Sequence, residues 1–268
     1  MHQTIKPNDI PPRFRPAYEA VLGLARDDRY VAALVFGSVA RGEAEQQSDF
    51  DAKVVVAAAT TCAAINHPFV AGVKLDISFN TIEQLRGTTA KEVERGERPP
   101  IVAESIIVFD KTGQLTELRD EARRARPLPF DPQQHLFTQF MLYHMHDKAT
   151  RHLESDPASA LLSMHCNFNE LLHYHYKFNA RWSVSSKRLL ADLRQWDPPL
   201  ALLVEAFVST CEPAAKYAAW SAIMEHVARP LGGMQPISEN NCPCELCVGD
   251  LGALGGSVRG HPPAKAGG

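Results

Sequence analysis

Three acidic residues placed at or inside apolar runs constrain this chain more than any other feature. The first run, Tyr30 to Phe36, reads as a buried strand that stops at Gly37-Ser38, ahead of Val39-Ala40-Arg41-Gly42. A small turn there lets the backbone approach a bulky anion closely. The stretch after it is compatible with a helix start, whose free N–H groups favour phosphate oxygens. Ser48-Asp49-Phe50-Asp51 then heads a second apolar run, Ala52 to Ala59. On extended chain a period of two puts Asp49 and Asp51 on one face and Phe50 on the other. Two carboxylates so close repel unless a cation lies between them. Asp76, in the sequence Lys74-Leu75-Asp76-Ile77-Ser78 of a third run from Phe69 to Phe79, can add a third oxygen from a neighbouring strand. The set reads as a site for Mg²⁺ with a phosphate attached.

These residues resemble the nucleotidyltransferase superfamily of the polymerase-β type over roughly residues 30 to 80, in both order and spacing. Each piece alone is common: Gly-Ser turns and helix-capping acids occur in many chains. Capping does not account for three acids on three apolar runs, where an unpaired charge is costly. The resemblance implies an α+β unit with a mixed sheet, followed by a helical bundle. It also implies a nucleoside triphosphate, with AMP from ATP the commonest donation among such relatives, cradled by Gly37, Ser38, Arg41 and Ser48. Asp49, Asp51 and Asp76 would hold Mg²⁺.

Segment reading agrees with that layout. Pro12 to Asp28 carries a helical stripe, Thr81 to Val93 a helix capped by Thr81, Ile101 to Phe109 a fourth strand, and Gln114 to Ala125 a charged helix. The proline-rich Arg126-Pro127-Leu128-Pro129-Phe130-Asp131-Pro132 is a break. It separates a first domain, 1–125, from a helical domain, 126–232. Helices are expected over Gln133–Glu154, Pro157–Phe178, Ser186–Gln195, Pro199–Val208 and Pro213–Val227. Residues 233–268, rich in Gly, Pro and Ala, read as a Cys-containing tail, largely disordered from about Gly249.

In the helical half, Tyr174 to Trp182 followed by Ser186-Lys187-Arg188 resembles the substrate-side bundle of enzymes that modify aminoglycoside and lincosamide antibiotics. Lys177, Arg181, Lys187 and Arg188 are then candidates to meet the triphosphate or departing pyrophosphate. Otherwise they are solvated cations at a helix end. For the general base, Asp76 is the first candidate and Glu170 the second, although Glu170 also reads as a surface acid. His144, His146, His152, His165, His173 and His175 cluster in this half. Pairs two apart on a helix face opposite sides, so spacing makes none of them a chelator.

Composition excludes several classes. A net charge of −3 over 268 residues gives no footprint for non-specific nucleic-acid binding. That disfavours an RNA or tRNA acceptor, although a local basic groove would escape a whole-chain sum. Neither a signal-peptide core at the start nor an apolar stretch of membrane-spanning length is evident, so the expected location is the cytoplasm. Cys62, Cys166 and Cys211 stand alone and read as buried reduced thiols. Cys242, Cys244 and Cys247 are a possible zinc cluster that lacks an evident fourth ligand, His261, His226 and Cys211 being the candidates. The expected partners are a nucleoside triphosphate and a small hydroxylated acceptor. Monomer and homodimer both stay open, as does an antitoxin-like module that modifies or binds a protein.

Overall fold

The computed structural model describes residues 6–58 and 67–236. Its first half is an α+β unit around a five-stranded mixed sheet in the order β3-β4-β2-β1-β5. The strands are β1 (Tyr30–Phe36), β2 (Phe50–Val56), β3 (Phe69–Val70), β4 (Val73–Asn80) and β5 (Ile106–Asp110). β1 pairs antiparallel with β2 and β5, β3 with β4, and β2 runs parallel to β4. The expected period of two is realised: Phe50, Ala52 and Val54 are buried while Asp51 and Lys53 turn to the other face. β4 repeats the pattern, with Val73, Leu75 and Ile77 buried between Lys74, Asp76 and Ser78.

Two expected strands are shorter than their apolar runs. The run Phe69 to Phe79 is broken at Ala71-Gly72, both with positive φ (48° and 77°), which folds it into a tight hairpin. The run Ile101 to Phe109 starts as a 3-10 turn, Ile101–Glu104, after the restrictive Pro99-Pro100 pair, and only then becomes β5. Around the sheet lie α1 (Arg15–Gly23), the single-turn α2 (Gly37–Arg41), α3 (Ile82–Arg95) and α4 (Gln114–Arg124). The expected cap on α3 is present as a reciprocal pair. Thr81 Oγ1 accepts from Gln84 N–H (3.1 Å), and Gln84 Oε1 accepts from Thr81 N–H (2.9 Å). Such a cap stabilises a helix start by about 1 kcal/mol.

Residues 125–131 carry no regular element, and every helix after them matches its expected span to within two residues. These are α5 (His135–His152), α6 (Pro157–Phe178), α7 (Ser186–Trp196), α8 (Pro198–Ser209) and α9 (Pro213–Ala228). Their core centres on Leu142, Met164, Leu171, Tyr176, Phe207 and Trp220, a cluster separate from those on the two faces of the sheet. The halves meet through short polar links: Ser183 N–H and Oγ both donate to Glu97 O, and Arg188 pairs with Glu43 at 3.1 Å. Among the described residues no helix is long and apolar enough to cross a membrane.

One expectation about cysteine needs correction. Cys166 and Cys211 are exposed free thiols rather than buried ones, since each lies on a solvent-facing position of the bundle. His175, which spacing alone did not make a chelator, is 3% exposed inside the bundle. Cys62, Cys242, Cys244, Cys247 and His261 lie outside the described residues.

Candidate active site at the edge of the sheet

The register of the sheet aligns the acids. Asp51 faces Phe36 across the β1–β2 pair and Asp76 across the β2–β4 pair, so strand pairing alone sets Asp51 beside Asp76. Asp49 immediately precedes β2 on the same face. Gly37, at φ 72°, stands directly over Asp51: a Cβ built on Gly37 would overlap Asp51 Oδ2. The glycine therefore lets the turn after β1 and the central carboxylate occupy adjoining space. Beyond it, α2 closes at Gly42 (φ 72°), where Glu43 N–H donates to Ser38 O at 2.9 Å.

The electrostatics are those of an under-compensated anion cluster. Burial pushes the Asp51 carboxyl pKa up, and the charges of Asp76 and Asp49 push it further, against smaller opposing effects of Arg41 and Lys74. Lys74 is the cation that answers the acids. Its Nζ lies 3.2 Å from Asp49 Oδ2 and 3.9 Å from Asp76 Oδ2. His67 Nδ1 lies against Asp76 Oδ1. Neither Lys74 nor His67 was singled out by sequence motif. The one available signal for Lys74 was its position two residues before Asp76, on the same face of the strand. The Lys74 and Asp49 side chains are 35% and 42% exposed, so the ammonium is free to swing out to water.

A cleft of about 600 Å³ opens beside this cluster, walled on one side by the Gly37–Asp51 segment and on the other by α7. Gly37, Ser38, Arg41, Ser48, Asp49 and Asp51 line the first wall. Lys187, Arg188, Asp192 and Gln195 line the second. Asp76 sits behind Asp51 rather than on the wall. Arg41 braces the turn: its Nε donates to Glu43 Oε2 (2.9 Å) and its guanidinium lies 3.8 Å from Glu104. Glu43 in turn accepts Arg188, which ties α7 to the turn. Ser48 Oγ accepts Glu45 N–H (2.9 Å) and so shapes the loop.

Three of the residues read from the sequence lie elsewhere. Glu170 is exposed on α6 and interacts with Tyr174, away from the cleft. Lys177 and Arg181 line a separate small cavity with Arg95, Glu97 and His173, because the chain turns back at Ala180 (φ 48°) before α7 begins. Arg181 also stacks on Trp196, 4.4 Å from the ring centroid. Of the basic cluster, Lys187 and Arg188 reach the cleft. The carboxylate that the bundle contributes to the wall is Asp192, whose Oδ2 accepts both Tyr176 O–H (2.7 Å) and Trp196 Nε1–H (2.8 Å). Those two bonds hold Asp192 in one orientation. Nothing in its local sequence distinguishes it from the other acids of the bundle.

No protein-family profile matches this chain, and no curated protein matches it in sequence. Among solved structures the chain is similar to a nucleotidyltransferase-like protein from Exiguobacterium sibiricum 255-15. The likeness covers 81% of this chain and 73% of that one, at 13% identity and a TM-score of 0.43. At that level the likeness carries no argument.

Proposed function

We propose that this protein is a divalent-cation-dependent nucleotidyltransferase that moves a nucleoside monophosphate, AMP from ATP being our first choice, onto a hydroxyl of a small molecule. The observation that carries the reading is the row of acids that strand register sets side by side, Asp51 opposite Asp76 with Asp49 just ahead of β2 on the same face, next to a glycine turn that only a residue without a Cβ allows and a cleft with cations on its far wall. The donor set is all oxygen, carries more negative charge than its one lysine offsets, and keeps its outer acid partly exposed, which suits Mg²⁺. When bound, Mg²⁺ supplies charge neutralisation at the phosphate oxygens.

The chain's own residues do the rest. Ser38 and the turn's N–H groups orient the phosphates, and Lys187 with Arg188 faces the charge that grows as pyrophosphate departs. The acceptor oxygen bonds to the α-phosphorus as the bond from that phosphorus to its bridging oxygen breaks. The hydroxyl proton passes to a carboxylate, for which Asp192 stands on the cleft wall and Asp76 lies behind Asp51. A polar, open cleft favours a hydroxylated acceptor such as an aminoglycoside, a lincosamide or a simple sugar.

A second reading, a binding module without turnover, draws on Lys74, because an ammonium between Asp49 and Asp76 satisfies the cluster without a metal. The two readings separate in a pyrophosphate-release screen of the four nucleoside triphosphates, with Mg²⁺ and with a chelator, against those acceptors. The nucleotidyltransferase reading expects release that needs both Mg²⁺ and an acceptor. It also expects Lys187→Ala to weaken nucleotide use by about tenfold, the effect of one lost charge-assisted contact. A stoichiometric protein partner, with no pyrophosphate under any condition, would instead establish the binding module.

A further inference from the structure

Away from the cleft, three helices send polar side chains to one point inside the bundle. Asp197 ends α7 and opens α8. Its Oδ1 accepts Leu200 N–H at 3.1 Å, while its Oδ2 lies 2.8 Å from His175 Nε2 of α6 and 2.8 Å from His226 Nε2 of α9. The three side chains are 4%, 13% and 14% exposed for His175, Asp197 and His226. We propose that His175, Asp197 and His226 form a binding site for a divalent transition metal of the zinc class, with the fourth coordination position left to water.

Three observations carry this assignment. One ligand atom from each residue falls within 4.8 Å of the others, although they come from separate helices and are far apart in sequence. Two imidazole N–H groups crowd a single carboxylate oxygen, and one dication in their place satisfies all three atoms at once. Zinc bonds of 2.0–2.2 Å at tetrahedral angles need donor atoms about 3.3 Å apart, so each imidazole would have to retreat by only about half an ångström. Against them, His175 Nδ1 is buried with no hydrogen-bond partner among the described residues. A metal at Nε2 moves the ring proton to that Nδ1, a buried N–H without an acceptor, so the metal bonds must outweigh that cost.

The ligand chemistry separates this site from the acids of the sheet. Two imidazoles and one carboxylate suit Zn²⁺, Co²⁺, Ni²⁺ or Cu²⁺, whereas the oxygen-only set of Asp49, Asp51 and Asp76 suits Mg²⁺ or Mn²⁺. The site pins α6, the α7–α8 joint and α9 to one another. It is also wired to the cleft, since the His175 ring stacks on Trp196 (4.9 Å between centroids) and Trp196 Nε1–H donates to Asp192 on the cleft wall. A metal here would fix that stack and with it the orientation of Asp192.

The test uses the chain with Cys242, Cys244 and Cys247 changed to Ser, so that the clustered thiols of the tail cannot supply the binding. Zn²⁺ is titrated calorimetrically, and Co²⁺ is followed by its visible absorption and by quenching of Trp196 fluorescence. The expected result is one metal per chain, a Co²⁺ spectrum without thiolate charge-transfer bands, and a rise in thermal midpoint on adding Zn²⁺. His226→Gln keeps an N–H donor for Asp197 and should fold normally, yet lose the spectrum, the thermal shift and about a hundredfold in Zn²⁺ affinity. Zn²⁺ affinity unchanged in His226→Gln, or no Zn²⁺ bound by the parent chain, would overturn the proposal. Neither outcome touches the nucleotidyltransferase reading, which uses a different metal at a different place.

Discussion

Asp51→Asn is expected to lower turnover by about a thousandfold, the scale of several kcal/mol of charge stabilisation at the reacting phosphorus. It should do so while leaving the fold at least as stable as the parent at neutral pH. The second half follows from linkage. The folded-state pKa of Asp51 is raised, first by burial and then by Asp76 and Asp49, so between the ordinary carboxylate range and that raised value the folded chain binds the extra proton. The group's contribution to stability is therefore fully present at pH below the unfolded value and is lost as pH rises through the folded one. Asn carries no charge to desolvate. The Asp51→Asn chain should thus melt at or above the parent's temperature at pH 7, and the difference should shrink as the pH falls toward the carboxylate range. Thermal melts over a pH series, run beside a pyrophosphate-release assay, check both halves. A variant that keeps turnover, or that is markedly less stable at pH 7, contradicts the role given to Asp51.

Gly37→Ala should be as inactive as Asp51→Asn for a different reason, and it should be less stable. An Ala at φ 72° costs about 1–2 kcal/mol in the left-handed region, and its Cβ would overlap the Asp51 carboxylate, so either the turn or the acid must move. In a chain of this size 1 kcal/mol corresponds to about 2–4 °C in Tm, so a fall of several degrees is expected. The steric part depends on the Asp51 side chain. Adding Asp51→Ala to Gly37→Ala should therefore recover part of the lost stability and none of the activity, a non-additivity typical of residues in contact. Strictly additive melts would mean that the two residues do not share space as described.

Much of this architecture was readable because local rules and global fold agree. The alternation through Phe50 and Asp51, the cap at Thr81 and the starts of α6, α7 and α9 all follow from short-range chemistry. What escaped depends on neighbours far apart in the chain. Lys74 matters because the parallel β2–β4 register brings it to Asp49, and no spacing rule reports a cross-strand ammonium. Lys177 and Arg181 looked continuous with Lys187 and Arg188, yet after the left-handed turn at Ala180 neither of the first two lines the cleft that the second two reach. Glu170 was the second candidate base although no motif pinned it, and Asp192 is the bundle acid that Tyr176 and Trp196 fix at the cleft. His175 was set aside because His173 beside it cannot help it chelate. Its partners are Asp197 and His226, supplied by later helices.

If Asp49, Asp51 and Asp76 form a cation site, that site works together with a nucleotide. Mn²⁺, a paramagnetic substitute for Mg²⁺, allows this to be measured directly by titrating the full-length chain and counting bound ions from their electron paramagnetic resonance signal, with and without a non-hydrolysable ATP analogue. The account predicts Mn²⁺ binding that the analogue strengthens, that Asp51→Asn removes, and that Lys74→Ala tightens by taking away the competing ammonium. Mn²⁺ binding indifferent to the nucleotide and to Asp51→Asn would contradict it, and would leave Lys74 as the permanent counter-charge of a site that performs no phosphoryl chemistry.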